Sequence, residues 1–199
     1  EGRSFKVKRH ILGENPENDK VVFHEKDAGF DIYVYKSKSK KYIIIRSFSA
    51  LALEYLVLNA DNPSGNFKII QPREKGLEYS IDHYGGKFYI LTNYLAKNFR
   101  VMETPENKTE KENWKEVFQH RTDATIFNME VFKDYLAIEE LKNGLTQINI
   151  IDLKNSTNHY IKFEEEVYSA YFSYGPISIN LDFENEWLRY RYSSLTTPN

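Results

Sequence analysis

Residues 76–93 read Gly-Leu-Glu-Tyr-Ser-Ile-Asp-His-Tyr-Gly-Gly-Lys-Phe-Tyr-Ile-Leu-Thr-Asn, two strands and the turn between them in adjacent letters. Gly85-Gly86 is a two-residue hairpin signal, because glycine takes φ > 0 without a Cβ clash. Before it, Leu77, Tyr79, Ile81 and His83 alternate with Glu78, Ser80 and Asp82, the period-two pattern of a strand with unlike faces. After it, Phe88-Tyr89-Ile90-Leu91 is a short strand apolar on both faces. The same phrase holds a serine, an aspartate and a histidine, and so poses a question about catalysis that the rest of the chain must answer.

Outward from this hairpin the chain keeps one rhythm. Residues 77–84, 87–93, 99–103 and 114–119 make a four-strand unit, with a charged loop at 106–113 between the last two. A similar unit reads at 124–132, 135–140, 147–153 and 159–163. Ahead of them, 21–24, 31–35, 42–46 and 54–59 form another, and a further unit begins at 167–174 and reaches 187–193. Their first strands, centred near Val22, Ile81, Met129 and Tyr171, recur at roughly 40 to 60 residues, the spacing of four-stranded propeller blades. The expectation is an all-β propeller fragment. Residues 1–20 hold the last strand of a preceding blade and a linker, 21–65, 66–121 and 122–165 are whole blades, and 166–199 begins the next. A β-sandwich also yields many short strands. The recurrence of the unit with its long loops in similar places points to the propeller.

Composition narrows the function. Aromatics make up 15% of the 199 residues, with 15 Tyr and 13 Phe, a bias toward β-structure. Lys and Arg number 27 against 29 Asp and Glu, a net charge of -2, so no global field draws the chain to nucleic acid or anionic lipid. There is no cysteine, hence no disulfide or thiolate chemistry. No apolar run approaches the length of a membrane span. The chain opens on Glu1-Gly2-Arg3-Ser4 and stops at Pro198-Asn199, the expectation being a segment of a longer polypeptide. Unpaired strand edges on its first and last units would then invite edge-to-edge self-association.

The chemical motifs are sparse. Ser80 and Asp82 share one face of their strand and His83 faces the other, so the three are not placed as nucleophile, orienter and base. The packing reading is that His83 is buried and Asp82 pins the turn. A Gly-x-Ser-x-Gly elbow is absent from the sequence. His10, His24, His83, His120 and His159 are scattered, without metal-ligand spacing, and no glycine-rich loop cradles phosphate. No cofactor or metal is called for, and no catalytic residue is assigned. Lys36-Ser37-Lys38-Ser39-Lys40-Lys41 reads as a solvated hairpin tip rather than an anionic docking patch, and Glu164-Glu165-Glu166 as a solvated joint between blades. First strands line a propeller's channel, so polar groups on 76–84 and 124–132 are those that can meet a molecule inside it. Glu78 and Asp82 are the substrate-channel candidates.

Several phrases together go further: Glu25-Lys26-Asp27; Ser37-Lys38 ahead of Lys41-Tyr42-Ile43; the stretch 78–84; Lys97-Asn98-Phe99; and Glu139-Glu140 with Gly144-Leu145-Thr146. The most specific is Leu188-Arg189-Tyr190-Arg191-Tyr192-Ser193-Ser194-Leu195-Thr196-Thr197-Pro198. From about His10 onward the chain resembles the propeller of the oligopeptidase B branch of the prolyl oligopeptidase family of serine peptidases. Residues 175–186 depart from it, standing where a short Asn-Pro loop is expected. The resemblance implies a seven-bladed propeller capping a C-terminal α/β-hydrolase domain that carries Ser, Asp and His. It also implies cleavage of short basic peptides after Arg or Lys, with the propeller as a size filter. None of the family's triad has a matching position here. The resemblance points to the cytoplasm, with the periplasm open. The rival from another class is a non-enzymatic propeller acting as a binding scaffold.

Overall fold

The computed structural model describes residues 2–174 and 177–197. Gly175, where the sequence leaves the resemblance, and Pro198, which ends its most specific phrase, lie outside the described residues. Strands β1 (Lys6–Arg9) and β2 (Lys20–His24) form a two-stranded antiparallel ribbon. Strands β3 (Asp31–Lys36), β4 (Tyr42–Phe48), β5 (Leu53–Asn59) and β6 (Lys68–Ile69) form the first four-stranded sheet. The second holds β7 (Tyr79–Tyr84), β8 (Lys87–Thr92), β9 (Arg100–Pro105) and β10 (Lys115–Phe118). The third holds β11 (Thr125–Val131), β12 (Tyr135–Lys142), β13 (Leu145–Asp152) and β14 (Asn158–Tyr160). Beyond them β15 (Tyr168–Tyr171) pairs with the later β18 (Arg191–Ser194), around a small hairpin of β16 (Ser173–Tyr174) and β17 (Ile177–Ser178). Within each four-stranded sheet the strands pair in chain order, as antiparallel meanders.

The hairpin at 76–93 forms as its letters predict. Tyr84 pairs with Lys87 across a two-residue turn, and Gly85 and Gly86 take φ of 61° and 81°. One strand assignment is corrected. Val21 to His24, read as the first strand of a blade at 21–65, pairs instead with Lys6 to Lys8, so the sheet that follows begins at Asp31 and closes on Lys68–Ile69. The reason is that a meander's turns and its crossings between sheets have similar lengths and polarity. Nothing local to residues 25–30 marks them as a crossing. They are fixed from a distance: Glu25, 5% exposed, accepts from Ser47 Oγ at 2.5 Å and from Arg73 at 2.7 Å, while Arg73 also grips Glu54 and stacks over Phe30 at 3.9 Å.

The middle strands show why these sheets stack. Along β8, Phe88 and Ile90 join a core with Ile44, Tyr55 and Val57 of the preceding sheet. Tyr89 and Leu91, on the opposite face, join Ile126, Leu136 and Ile138 of the following one. Ala137 and Ile148 then pack with Ala170 and Phe172, and Ile32, Ile45 and Leu56 pack toward Val7 and Phe23 of the ribbon. A sheet buried on both faces needs apolar residues at consecutive positions, which is the reading of Phe88-Tyr89-Ile90-Leu91. At about 25 cal/mol per Å² of apolar surface, these shared cores are the main source of cohesion between sheets. Strand β7 also lies against β11 of the following sheet and against β5 of the preceding one.

Candidate functional site

The first strands of the three four-stranded sheets are β3, β7 and β11, and of these β7 and β11 lie against each other. Tyr33, Val34 and Phe127 are exposed on β3 and β11, at 40%, 45% and 46%. Glu78, exposed just ahead of β7, is held by its main chain: its N–H donates to Asn93 Oδ1 at 2.9 Å and its carbonyl accepts from Thr92 Oγ1 at 2.8 Å. Its carboxylate is left in solvent. Asp82, four residues on and on the same face, is in different surroundings. Its Oδ1 accepts the His83 N–H at 2.7 Å, and its part-buried carboxyl feels the charges of Glu130 and Lys38. Burial, reinforced by the neighbouring Glu130 charge, pushes its pKa up to about 7.

Ser80, Asp82 and His83 do not form a relay. Ser80 and Asp82 face the following sheet, while His83, 3% exposed, points into the preceding one. The histidine instead joins two residues distant in sequence. His83 Nδ1 meets Ser39 Oγ at 2.8 Å and Nε2 meets Glu106 Oε1 at 2.6 Å, with the ring edge-on to Tyr42 and Phe88 at 4.9 and 5.0 Å. With the ring neutral, Nε2–H donates to the carboxylate and the Ser39 hydroxyl donates to Nδ1. Burial of the ring, opposed by Glu106, holds its pKa below the ordinary histidine value. Burial tends to raise the Glu106 carboxyl, and hydrogen bonds from Lys41 and His83 outweigh it and hold it low. This string pins the 37–41 turn to the 76–93 hairpin.

The basic run at 36–41 is not a uniformly solvated tip. Lys38 keeps 7% side-chain exposure; its Nζ donates to Glu130 Oε1 at 2.6 Å and to Val131 O at 2.7 Å, and it lies 4.2 Å over Phe132 and 4.5 Å over Phe183. Lys41 pairs with Glu106 at 2.6 Å. Glu165 likewise is no idle joint: it accepts from Tyr192, from Ser194 at 3.0 Å and from Thr196 at 2.7 Å, and so anchors the phrase at 188–197. Sequence reasoning missed Lys38 and Glu130 as a pair because 92 residues separate them and nothing in the Lys-Ser alternation at 36–40 sets Lys38 apart from the lysines beside it. Among the described residues no three His, Cys, Asp or Glu gather to hold a metal, and no helix is long and apolar enough to cross a membrane.

Residues 1–199 match the profile of the prolyl oligopeptidase N-terminal β-propeller domain. The chain belongs to that family. Its four-stranded sheets are therefore propeller blades. It is 33% identical over 196 residues to dipeptidyl aminopeptidase BI of Pseudoxanthomonas mexicana, covering 98% of this chain and 26% of that protein. It is 29% identical to protease 2 of Moraxella lacunata, covering 98% of this chain and 27% of that one. Oligopeptidase B from Trypanosoma brucei, solved in a closed form with covalently bound antipain, superposes at a TM-score of 0.86 with 28% identity, covering 98% of this chain and 28% of that chain. The propeller family member described here thus spans about a quarter of the length of these relatives.

Proposed function

We propose that the chain is the substrate-gating propeller segment of an oligopeptidase B-like serine endopeptidase that cleaves short peptides after Arg or Lys. On this reading it is joined in one polypeptide to a C-terminal α/β-hydrolase domain that carries the nucleophile. The supporting observation is the run of four-stranded blades stacked through shared cores, together with near-complete cover of the chain by an oligopeptidase B. Blades arranged as a propeller leave a narrow axial passage, which an extended peptide can thread and a folded protein cannot. Negative potential from Glu78, and from Asp82 when it is ionised, would draw basic peptides in over about one Debye length, ~8 Å at physiological salt.

The relative named dipeptidyl aminopeptidase favours a second reading, removal of dipeptides from free N-termini. One assay of the full-length protein separates the two. A dibasic fluorogenic peptide is offered with a free and with an acetylated N-terminus, beside a folded protein rich in Lys and Arg. The endopeptidase reading expects both peptides cut after the basic residue and the folded protein left whole. Cleavage of the free peptide alone supports the aminopeptidase, and cleavage of neither returns the reading to a non-enzymatic scaffold. For the channel residues, Glu78→Gln with Asp82→Asn is expected to flatten the ionic-strength dependence of kcat/KM on the dibasic peptide. An unchanged salt slope would remove both from the channel's field.

A further inference from the structure

Between β17 and β18 the chain makes an excursion whose two ends are tied together. The buried Asn180 amide donates to Arg189 O at 3.1 Å, and its Oδ1 accepts the Arg189 N–H at 2.8 Å. The loop they enclose does not stay with its own sheet. Ser178, just ahead of it, donates to Glu130 of β11 at 2.5 Å. At the β11–β12 turn, Phe183 O accepts the Lys133 N–H at 3.0 Å and Asn185 O accepts from the Tyr135 hydroxyl at 3.0 Å. The Phe183 ring lies 4.6 Å from that of Tyr84 at the β7–β8 turn, and Lys38 of the β3–β4 turn stands 4.5 Å over it. Residues 178–189 therefore touch the same turn, first strand to second, in each of the three four-stranded blades.

We propose that residues 178–189 are a strap across one mouth of the propeller's passage, which keeps the blades from parting there and so limits the size of molecule admitted. In a propeller the first strands are innermost, so the turns that leave them ring one end of the passage. A strap fixed to three successive turns is stretched whenever any two of those blades separate. Its hold on them is built of small parts. Lys133 Nζ meets Glu184 at 2.6 Å, but with 52% and 64% of the two side chains exposed the pair adds little. Leu181 and Trp187 are exposed, so the tip is held by Phe183 and main-chain acceptors rather than by a buried apolar face. A segment with few buried apolar contacts opens at low cost. The clasp at Asn180 is buried by contrast, so the strap lifts as a unit, its ends tied while its tip leaves the turns. The inference rests on the peptidase reading for the nature of the molecule that passes, and on the fold alone for the restraint.

The test uses the full-length protein with Val34→Cys, a substitution at an exposed position of β3. It is offered a small maleimide and polymer-linked maleimides of growing size, and labelling at position 34 is read by mass spectrometry. Phe183→Ala with Tyr135→Phe releases the strap, removing the ring contacts and one hydrogen bond. Release is expected to speed labelling by the largest reagents about tenfold, the weight of one aromatic contact and one hydrogen bond, and to leave the small reagent unchanged. Exchange of the Lys133 amide, whose acceptor is Phe183 O, should rise by a similar factor. The strap is overturned if the ratio of large-reagent to small-reagent labelling is the same before and after release, or if the Lys133 amide exchanges no faster. Should the double variant not fold, Phe183→Leu, which loses the ring contacts but stays apolar, decides by the same ratio. Cleavage of the dibasic peptides is scored in parallel. A protein that labels as expected yet cuts neither peptide keeps the strap and removes the peptidase reading.

Discussion

His83 shows how much a single side chain can join in this fold. It belongs to β7, but its two nitrogens reach Ser39 in the preceding blade and Glu106 beyond β9. Because burial holds the ring's pKa low, the folded state prefers it neutral. The stabilisation it contributes is present above the unfolded-state value of about 6.5 and is lost as pH falls through the folded value. Asp82 has the opposite sign. Its raised pKa gives stability that is full at acid pH and lost as pH rises toward about 7. His83→Gln, whose amide can donate to Glu106 without titrating, is expected to remove the acid limb. In urea unfolding, wild type should lose stability relative to this variant between pH 7 and pH 5, and parallel pH profiles would contradict the assignment.

At the scale of the element, the β7–β8 hairpin owes its geometry to two residues. Gly85 and Gly86 both have positive φ, and no atom lies within 4 Å of the place where a Cβ would be added at either. The cost of substitution is therefore conformational rather than steric. Gly86→Val is expected to destabilise by about 1–2 kcal/mol, the penalty of an L-residue forced into the left-handed region. Gly85→Asn should fall within roughly 0.5 kcal/mol of wild type, since asparagine is the commonest residue at the first centre of such turns. Thermal unfolding of the two variants side by side tests the contrast. The neighbouring β8 strand has a different constraint. Buried from Phe88 to Thr92, it serves a different core with each alternate residue. A one-residue slip would exchange those cores, so the turn and the packing enforce the same register.

At the scale of the whole molecule, every four-stranded blade shares a core with the sheet on each side, while the sheets at the two ends, β1–β2 and β15–β18, have two strands each. Leu12, Trp187 and Leu195 are exposed at 93%, 77% and 92% in or beside these end sheets. Unpaired edges next to apolar side chains are a template for pairing with another copy. Residues 1–199 expressed alone are expected to self-associate through these ends. Light scattering should show mass rising with concentration, and a constant monomer mass at high concentration would refute it.

Strand positions, turn chemistry and the four-beat repeat are legible along the chain because they depend on neighbours two or three residues apart. The alternation of 77–83, Gly85-Gly86 and the double-faced run 88–91 each state a local preference, and β7, β8 and their turn follow. The phrases that mark the family are legible for the same reason. Sheet membership of Val21 to His24 is not, because crossings and turns look alike when only their own residues are read. Nor is the fate of the charges. Lys36, Lys38 and Lys40 have nearly the same local sequence, and only the stacking of three blades carries Lys38 to Glu130 and leaves Asp82 beside them. A side chain's charge state is set by what desolvates it and what faces it, and in this chain both come from residues far away in sequence.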